Sequence, residues 1–308
     1  MENLIDIRDY PVRDVLKLLL KDKSTKKNIL FATDAYDGIV PEEPITEAVL
    51  LGFDALAIQP RVKKSLDAQA ARTRKKGEVF TPVWVCNKMN NHCDAEWFGR
   101  GNVFNVEYGE DWMPTAGVIP FKNAKGWKKY VDSRRLEITC GEAPYIVSRY
   151  DAATGEPIGV ERRVGILDRK LRVVNENVAS ENEWLTWATR AYQSVYGYEF
   201  QGDNLLIARI NLLMTFVDNM RFRWDRQPTL SELKKLTNVI VWNFWQMDSR
   251  TGATPLGAPP EDNGQLSLFE ELTTDAPKGT PCKVYNWRSR KSMTFAELKE
   301  GMIGPKKL

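Results

Sequence analysis

The sequence predicts an α/β fold in which helices cover a parallel sheet. Strand, helix, strand, helix and strand patterns follow one another between residues 136 and 248, an order typical of parallel strands joined by helical crossovers. The chain also has enough apolar material for such a fold, because 43% of its 308 residues are hydrophobic and can bury a sizeable core.

The ends of the chain have a different character from this core. Residues 1–60 form a helical N-terminal extension in this interpretation, and residues 61–256 form the core. From residue 251 the chain turns to Gly, Pro, Thr and acidic residues, which favours a flexible tail. We therefore assign residues 257–308 to a tail with a short interaction motif and a closing segment.

The elements before the core are predicted from apolar spacing. A helix is expected after Pro11, where apolar residues recur at helical spacing. These residues are Val12, Val15, Leu16 and Leu19. NILFATD (28–34) is typical of a strand. A basic helix follows and ends at Lys76 and Gly77, directly before a Phe-Thr-Pro corner.

The core elements follow in order. RRLEIT (134–139) predicts a strand, CGEAP a turn and YIVSRY (145–150) the start of a helix. SVYGYEF (194–200) predicts the second strand, and residues 203–220 a strongly amphipathic helix. After a helical LSELKKL, NVIVWNFWQMD (238–248) predicts the third strand.

Composition excludes several classes of site. The single histidine, His92, excludes His-based triads and multi-histidine metal centres, so we assign no metal. The cysteines lack zinc-ligand spacing, which indicates reduced thiols; they are Cys86, Cys93, Cys140 and Cys282. The chain has no run of eighteen apolar residues and a mixed, acidic start, which predicts a cytoplasmic protein without membrane contact.

The predicted strands end at residues suited to binding a ligand. Glu137, Cys140 and Gly141 lie where the first strand gives way to a turn, Glu199 closes the second strand, and Asp248 closes the third. A carboxylate after the second strand can accept both hydroxyl protons of a ribose, and one after the third can accept from an adenine amine. The pattern predicts a ligand that contains adenosine.

The turn after the first strand narrows this ligand further. CGEAPY lacks the G-x-G-x-x-G spacing that brings a backbone close to a pyrophosphate, which disfavours NAD and FAD. The chain also lacks G-x-x-x-x-G-K-[ST], which excludes hydrolysis of ATP by a P-loop. S-adenosyl-L-methionine (AdoMet), an adenosine without phosphates, remains.

Four segments in order resemble motifs of the adenine-specific DNA methyltransferases of type I and type II restriction-modification systems. They are GEVFTP (77–82), LEITCGEAPY (136–145), YGYEFQGDNLLIARINLL (196–213) and NFWQMD (243–248). The resemblance implies a Rossmann-like, AdoMet-dependent methyltransferase core. It assigns cofactor binding to Phe80, Thr81, Pro82, Glu137, Cys140, Gly141, Glu199 and Asp248, with the Phe-Thr-Pro corner over the methionine end of AdoMet.

One motif of that family is missing. An Asn or Asp followed by Pro-Pro and an aromatic residue holds the flipped base in those enzymes, and this chain offers only GAPPED (257–262). No catalytic residue can be assigned, so we expect the AdoMet-binding component of a split or multi-subunit DNA adenine methyltransferase, with a second subunit for catalysis and target recognition. The alternatives are a non-catalytic, AdoMet-responsive or scaffolding subunit of a phage-defence complex, and a self-sufficient methyltransferase with another substrate.

Two further partners are predicted. The basic helix could contact DNA phosphate through Arg72, Arg74, Lys75 and Lys76, or it could be a solvated helix face. In the tail, QLSLF (265–269) resembles the peptide by which bacterial DNA polymerases and repair proteins bind the replication sliding clamp. It implies contacts by Gln265, Leu266, Leu268 and Phe269, which could alternatively pin the tail onto the protein's own core.

Overall fold

The computed structural model of the protein describes residues 4–78, 81–257 and 279–303. Its helices are α1 (Val12–Leu19), α2 (Glu47–Leu51), α3 (Leu66–Lys76), α4 (Val83–Phe98), α5 (Gly126–Val131), α6 (Ile166–Asn177), α7 (Glu181–Gln193), α8 (Gly202–Trp224), α9 (Leu230–Asn243) and α10 (Phe295–Ile303). Its strands are β1 (Asn105–Tyr108), β2 (Asp111–Pro114), β3 (Arg135–Glu137), β4 (Val195–Glu199), β5 (Phe244–Gln246), β6 (Lys283–Asn286) and β7 (Lys291–Thr294).

A parallel sheet of three strands in the order β3-β4-β5 lies at the centre, and helices connect its strands. The α/β class with a parallel sheet is therefore confirmed. Gly197 in β4 has no side chain because a Cβ there would lie 2.7 Å from the ring of Phe244 in β5. Two antiparallel hairpins, β1-β2 and β6-β7, lie outside this sheet. Within the described part of the chain, β3 pairs on one side only.

Helix α8 is the centre of the core. The sequence predicts an amphipathic helix, but the structure buries α8 around nearly its whole circumference, including the polar residues Asp203, Asn204 and Asn211. The Arg209 guanidinium inside it donates to the carbonyl of Phe244 from Nε (2.9 Å) and Nη2 (2.7 Å). Buried polar groups with partners of this kind allow a helix to carry charge into a core.

The N-terminal extension packs directly on this core. The four apolar residues predicted to share a face of α1 are all buried against it. The Arg209 guanidinium also donates to the carbonyls of Leu19 and Lys21, at 3.0 Å to the latter. The amide of Gly202 donates to the carbonyl of Phe31 (2.9 Å). The extension and the central sheet thus share one hydrophobic core.

One strand prediction is wrong in part and another is wrong as a whole. Residues 238–243 of NVIVWNFWQMD belong to α9, and only Phe244–Gln246 is a strand. Helix α9 begins with a capping box between Thr229 and Glu232, and its last five residues, 239–243, are buried or half-buried. Periodicity cannot distinguish a buried helix from a buried strand in such a short apolar run. NILFATD forms no strand, because its backbone makes only isolated bridges, one of them between Leu30 and Pro44.

The predicted helix start at YIVSRY is also wrong. Ala143 before it adopts a left-handed conformation with φ 65°. The carbonyls of Tyr145 and Ile146 accept instead from the amides of Ile166 and Leu167, at 2.9 Å each. Because these carbonyls accept from the first two residues of α6, they do not form the hydrogen bonds of a helix within residues 145–150. The segment instead runs as a turn across the N-terminal end of α6.

None of the helices in the described ranges combines the length and the apolar character needed to cross a lipid bilayer.

Candidate functional site

A cavity of about 580 Å³ opens where β3 and β4 end at their carboxyl sides. Ligand pockets in proteins commonly have volumes of about 300 to 1,000 Å³, so the cavity can hold a small molecule. Five of the eight residues predicted to bind the cofactor line it, and these are Thr81, Glu137, Cys140, Gly141 and Glu199. The structure therefore brings together the end of GEVFTP, the first turn and the acid of the second strand.

The turn after β3 is strained. Thr139, Gly141 and Ala143 alternate along it with φ values of 47°, 54° and 65°, in the left-handed region. A non-glycine residue in this region costs about 1 to 3 kcal/mol, and such strain is concentrated at functional sites. Nothing in the residue types of Thr139 and Ala143 indicates this, so sequence analysis missed their role in shaping the cavity wall.

Glu199 joins the turn to β4. Its Oε2 accepts from the amide of Gly141 (2.8 Å) and its Oε1 from the amide of Gln201 (3.1 Å). Burial raises the pKa of Glu199 to about 7. A carboxylate can accept about four hydrogen bonds, so the two oxygens of Glu199 can still accept from ligand hydroxyl groups.

Three further carboxylates line the same cavity. Glu142 accepts from the amide of Arg61 (2.6 Å) and the hydroxyl of Tyr150 (2.7 Å), and burial raises its pKa to about 7. Burial, together with the charge of Glu199, raises the pKa of Glu137 well above its usual range. The third is Glu78, which forms an ion pair with the buried Arg72, and its Oε2 lies 2.6 Å from Arg72 Nε.

The cavity is accordingly acidic. Among the described residues that line it, four are glutamates and none is a lysine or an arginine. The acids are nevertheless not grouped to hold a metal ion in the part of the chain that the structure describes. Sequence analysis did not assign Glu78 and Glu142 to the site, although both lie inside the motifs quoted above. The available signal was that each acid directly follows a glycine of its motif.

Three buried acceptors of residues in this wall lack hydrogen-bond partners within residues 4–78, 81–257 and 279–303. They are Glu78 Oε1, Glu137 Oε2 and Gln201 Oε1. The orientation of the Gln201 carboxamide is set by its Nε2, which donates to Glu78 Oε2 at 3.2 Å. A buried acceptor without a donor is rare in proteins and indicates a place for a ligand donor or a water.

Asp248 is not part of this cavity, contrary to the prediction from the third strand. Its carboxylate stays within its own turn, accepting from the amide of Arg250 at 2.9 Å. The carboxyl end of β5 is already occupied, because the Gln246 carboxamide bonds the amide and carbonyl of Leu30, both at 2.9 Å. The N-terminal extension therefore lies where the predicted adenine contact would be.

The corner at the end of the basic helix is described only in part. Thr81 lines the cavity, and Pro82 precedes the first residue of α4 without lining it. Phe80 lies outside the described residues, as do the predicted clamp-binding residues Gln265, Leu266, Leu268 and Phe269. On α4 the exposed Cys93 reaches the rim of the cavity.

The basic helix α3 does not present all of its cations to solvent. Arg72 is only 4% exposed and pairs with Glu78 and with Asp203 (2.9 Å), so its predicted contact with DNA phosphate is wrong. Arg74 and Lys75 are exposed, and Lys75 Nζ lies 3.4 Å from Asp34 Oδ2. The side chain of Lys76 lies outside the described part of the chain.

In comparisons with protein-family models, with curated proteins and with solved structures, nothing matched this chain.

Proposed function

We propose that the chain is the AdoMet-binding component of a split or multi-subunit DNA adenine methyltransferase. The observation that carries the proposal is the acidic cavity at the carboxyl ends of β3 and β4. AdoMet bears a sulfonium, an ammonium and one carboxylate, so its net charge is positive. A cavity lined by glutamates and without cations among its described residues favours such a ligand over nucleotide phosphates, because a cationic ligand stabilises the ionised carboxylates and a phosphate does not.

The site residues divide between the parts of AdoMet. Glu199 accepts from the ribose hydroxyl groups with its remaining lone pairs. Glu137, whose Oε2 lacks a partner among the described residues, and Gly141 face the amino-acid end. Thr81 approaches the methionine portion. The Oε1 of Gln201 is the acceptor available for the adenine amine, in place of Asp248.

The edge of the sheet supports the need for a second chain or segment. Strand β3 pairs with β4 alone in the described ranges, and Leu136 and Ile138 beside its open edge are 41% and 64% exposed. An open edge with exposed apolar side chains is a template for adding a strand. A partner that binds there would bring its own loops to the cavity rim, where the chain lacks the Asn-Pro-Pro-aromatic loop.

Methyl transfer is therefore expected to require a partner. The chain alone should place no labelled methyl group from AdoMet in DNA, and adding the chain encoded by the neighbouring reading frame should restore incorporation. The matched control is the same mixture with Glu199→Gln, which should lose activity. Incorporation by the purified single chain would overturn the proposal. A complex that binds AdoMet but never methylates DNA would favour the scaffolding subunit.

AdoMet binding is expected to strengthen as the pH rises. Glu142 and Glu199 have pKa values of about 7 and a cationic ligand favours their ionised forms, so binding should release protons. The affinity should rise between about pH 6 and about pH 8, by up to about tenfold per pH unit for each proton released. Calorimetry in two buffers with different heats of ionisation measures both quantities.

The free chain provides the control for this dependence. Since the folded pKa of each group lies above its ordinary value of 4.5, these two groups favour the folded state at low pH, and that contribution is lost as the pH rises through about 7. Stability and affinity should thus change in opposite directions. An affinity that is constant or falls over the same range would exclude binding against these carboxylates.

A further inference from the structure

A second cavity, of about 470 Å³, lies between α3 and the N-terminal extension and shares no lining residue with the acidic site. One wall is a single face of α3, because Ala68, Ala71, Arg72 and Lys75 are spaced by three and four residues and all line it. The N-terminal extension forms the opposite wall, with Asp34, Ala35, Tyr36, Ala57 and Gln59. The mouth carries Lys63, Lys64 and Ser65.

The charge of this cavity is the reverse of the first. Four cations line it and Asp34 is the one acid among its described lining residues. Two of these cations pair with Asp203, which is fully buried. Its Oδ2 lies 3.3 Å from Lys64 Nζ and 2.9 Å from Arg72 Nη1. The lysines at the surface of the cavity are point charges suited to phosphate.

The backbone adds to this potential. Ser65 is the N-cap of α3, an eleven-residue helix, and its hydroxyl accepts from the amide of Ala68. The N-terminus of a helix carries partial positive charge, which favours an anion there. Lys63, Lys64 and the N-terminus of α3 therefore lie at one end of the cavity, whereas Lys75 lies near the C-terminal end of α3, with its Nζ 3.4 Å from Asp34 Oδ2.

The rest of the cavity is small and apolar. Four alanines line it, Ala35 and Ala57 on the extension and Ala68 and Ala71 on α3, so the space between the walls stays open. The ring of Tyr36 is held in place between them, because its hydroxyl donates to Asp203 Oδ2 at 2.8 Å. Such a slot suits a flat, apolar group next to the cationic end.

We propose that this cavity binds a nucleotide unit, with its phosphate at Lys63 and Lys64 beside the N-terminus of α3 and its base between the alanine walls beside Tyr36. The unit is either a free nucleoside monophosphate or one nucleotide of a single DNA strand, which share this chemistry. The site is separate from the AdoMet cavity and needs no AdoMet for binding. Its test is therefore independent of the proposed methyltransferase function.

The ligand is tested on the full chain by calorimetry without AdoMet. The probes are AMP, adenosine, inorganic phosphate and a short single-stranded oligodeoxyadenylate. AMP or the oligonucleotide should bind at least about tenfold more tightly than adenosine and phosphate, because both ends of the cavity are used. Tighter binding of AMP identifies a free nucleotide, and tighter binding of the oligonucleotide identifies a DNA strand.

Helix α3 supplies matched variants. Ala68→Leu fills the cavity and should weaken binding by about tenfold or more, whereas Ala70→Leu on the exposed face changes the same residue type and should have no effect. In the segment before α3, Lys63→Gln should weaken binding about threefold to tenfold, and Arg74→Gln on α3 should not. The Lys63 and Arg74 variants change exposed side chains, so they test the site even if Ala68→Leu disturbs folding.

Three results would overturn the site. One is no saturable binding of either AMP or the oligonucleotide at about 10 mM, far above the usual range of ligand affinities. Another is adenosine or phosphate alone binding as tightly as AMP. The last is Arg74→Gln weakening oligonucleotide binding as much as Lys63→Gln does, which would show a general electrostatic contact with this surface instead of a cavity.

Discussion

The purified chain is expected to bind AdoMet, and Glu199→Gln is expected to weaken this binding by about tenfold or more. Glu199 has two acceptor oxygens beside the strained turn, and each already holds one backbone amide of the cavity wall. Replacing the carboxylate with an amide removes acceptors for the ribose hydroxyl groups and one negative charge facing a cationic ligand. Calorimetric titration of AdoMet into both proteins measures the difference.

Asp248→Asn is the matched control for this prediction. It changes another acid that follows a strand of the same sheet, but the Asp248 carboxylate stays within its own turn and does not line the cavity. Its AdoMet affinity should equal that of the unmodified chain. Absence of any heat of binding at millimolar AdoMet, with or without the partner chain, would reject the cofactor. Equal losses in the two variants would reject the assigned position of the ribose.

Gly202→Ala is expected to destabilise the fold by about 3 kcal/mol or more, since an added methyl group would overlap backbone atoms. A Cβ at Gly202 would lie 1.8 Å from the carbonyl oxygen of Leu30. The Gly202 amide also donates to Phe31, so the two chain segments cannot separate without losing that bond. Urea unfolding, followed by circular dichroism, measures the change in the free energy of unfolding.

Gly159→Ala serves as the control for the second prediction. Gly159 has φ −61°, which any residue adopts, and no atom lies within 4 Å of an added Cβ. The same substitution should leave stability within about 1 kcal/mol, with a gain from the reduced freedom of the unfolded chain. If Gly202→Ala were equally neutral, the close contact between the N-terminal extension and α8 would not exist in solution.

Local signals in the sequence were sufficient for some elements and not for others. Helix α1 follows from four apolar residues at helical spacing, and β4 from a short β-rich run that ends at an acid. Residues 239–243 contain three β-branched side chains, yet they continue α9 because the capping box upstream starts a helix and most of these residues are buried. Tertiary context decides such segments, and a single sequence does not display it.

The residues of the candidate site also divide into those that the sequence predicts and those that only the tertiary structure reveals. Glu137, Gly141 and Glu199 could be predicted together, because the carboxyl ends of adjacent parallel strands meet at one edge of a sheet. The burial of Arg72 could not, since its partner Asp203 is 131 residues away along the chain. The position of Asp248 outside the cavity could not be predicted either. It depends on the hydrogen bonds between the Gln246 carboxamide and the backbone of Leu30 in the N-terminal extension.

The distribution of the thiols makes the acidic cavity accessible to site-specific spectroscopy in the natural sequence. Cys86, Cys140 and Cys282 are buried, and burial raises the pKa of each thiol, which suppresses its thiolate form. Cys93 is exposed at the cavity rim. A maleimide fluorophore or a nitroxide spin label would therefore attach at that one position without a cysteine-free background, and its emission or line shape would report occupancy of the cavity directly.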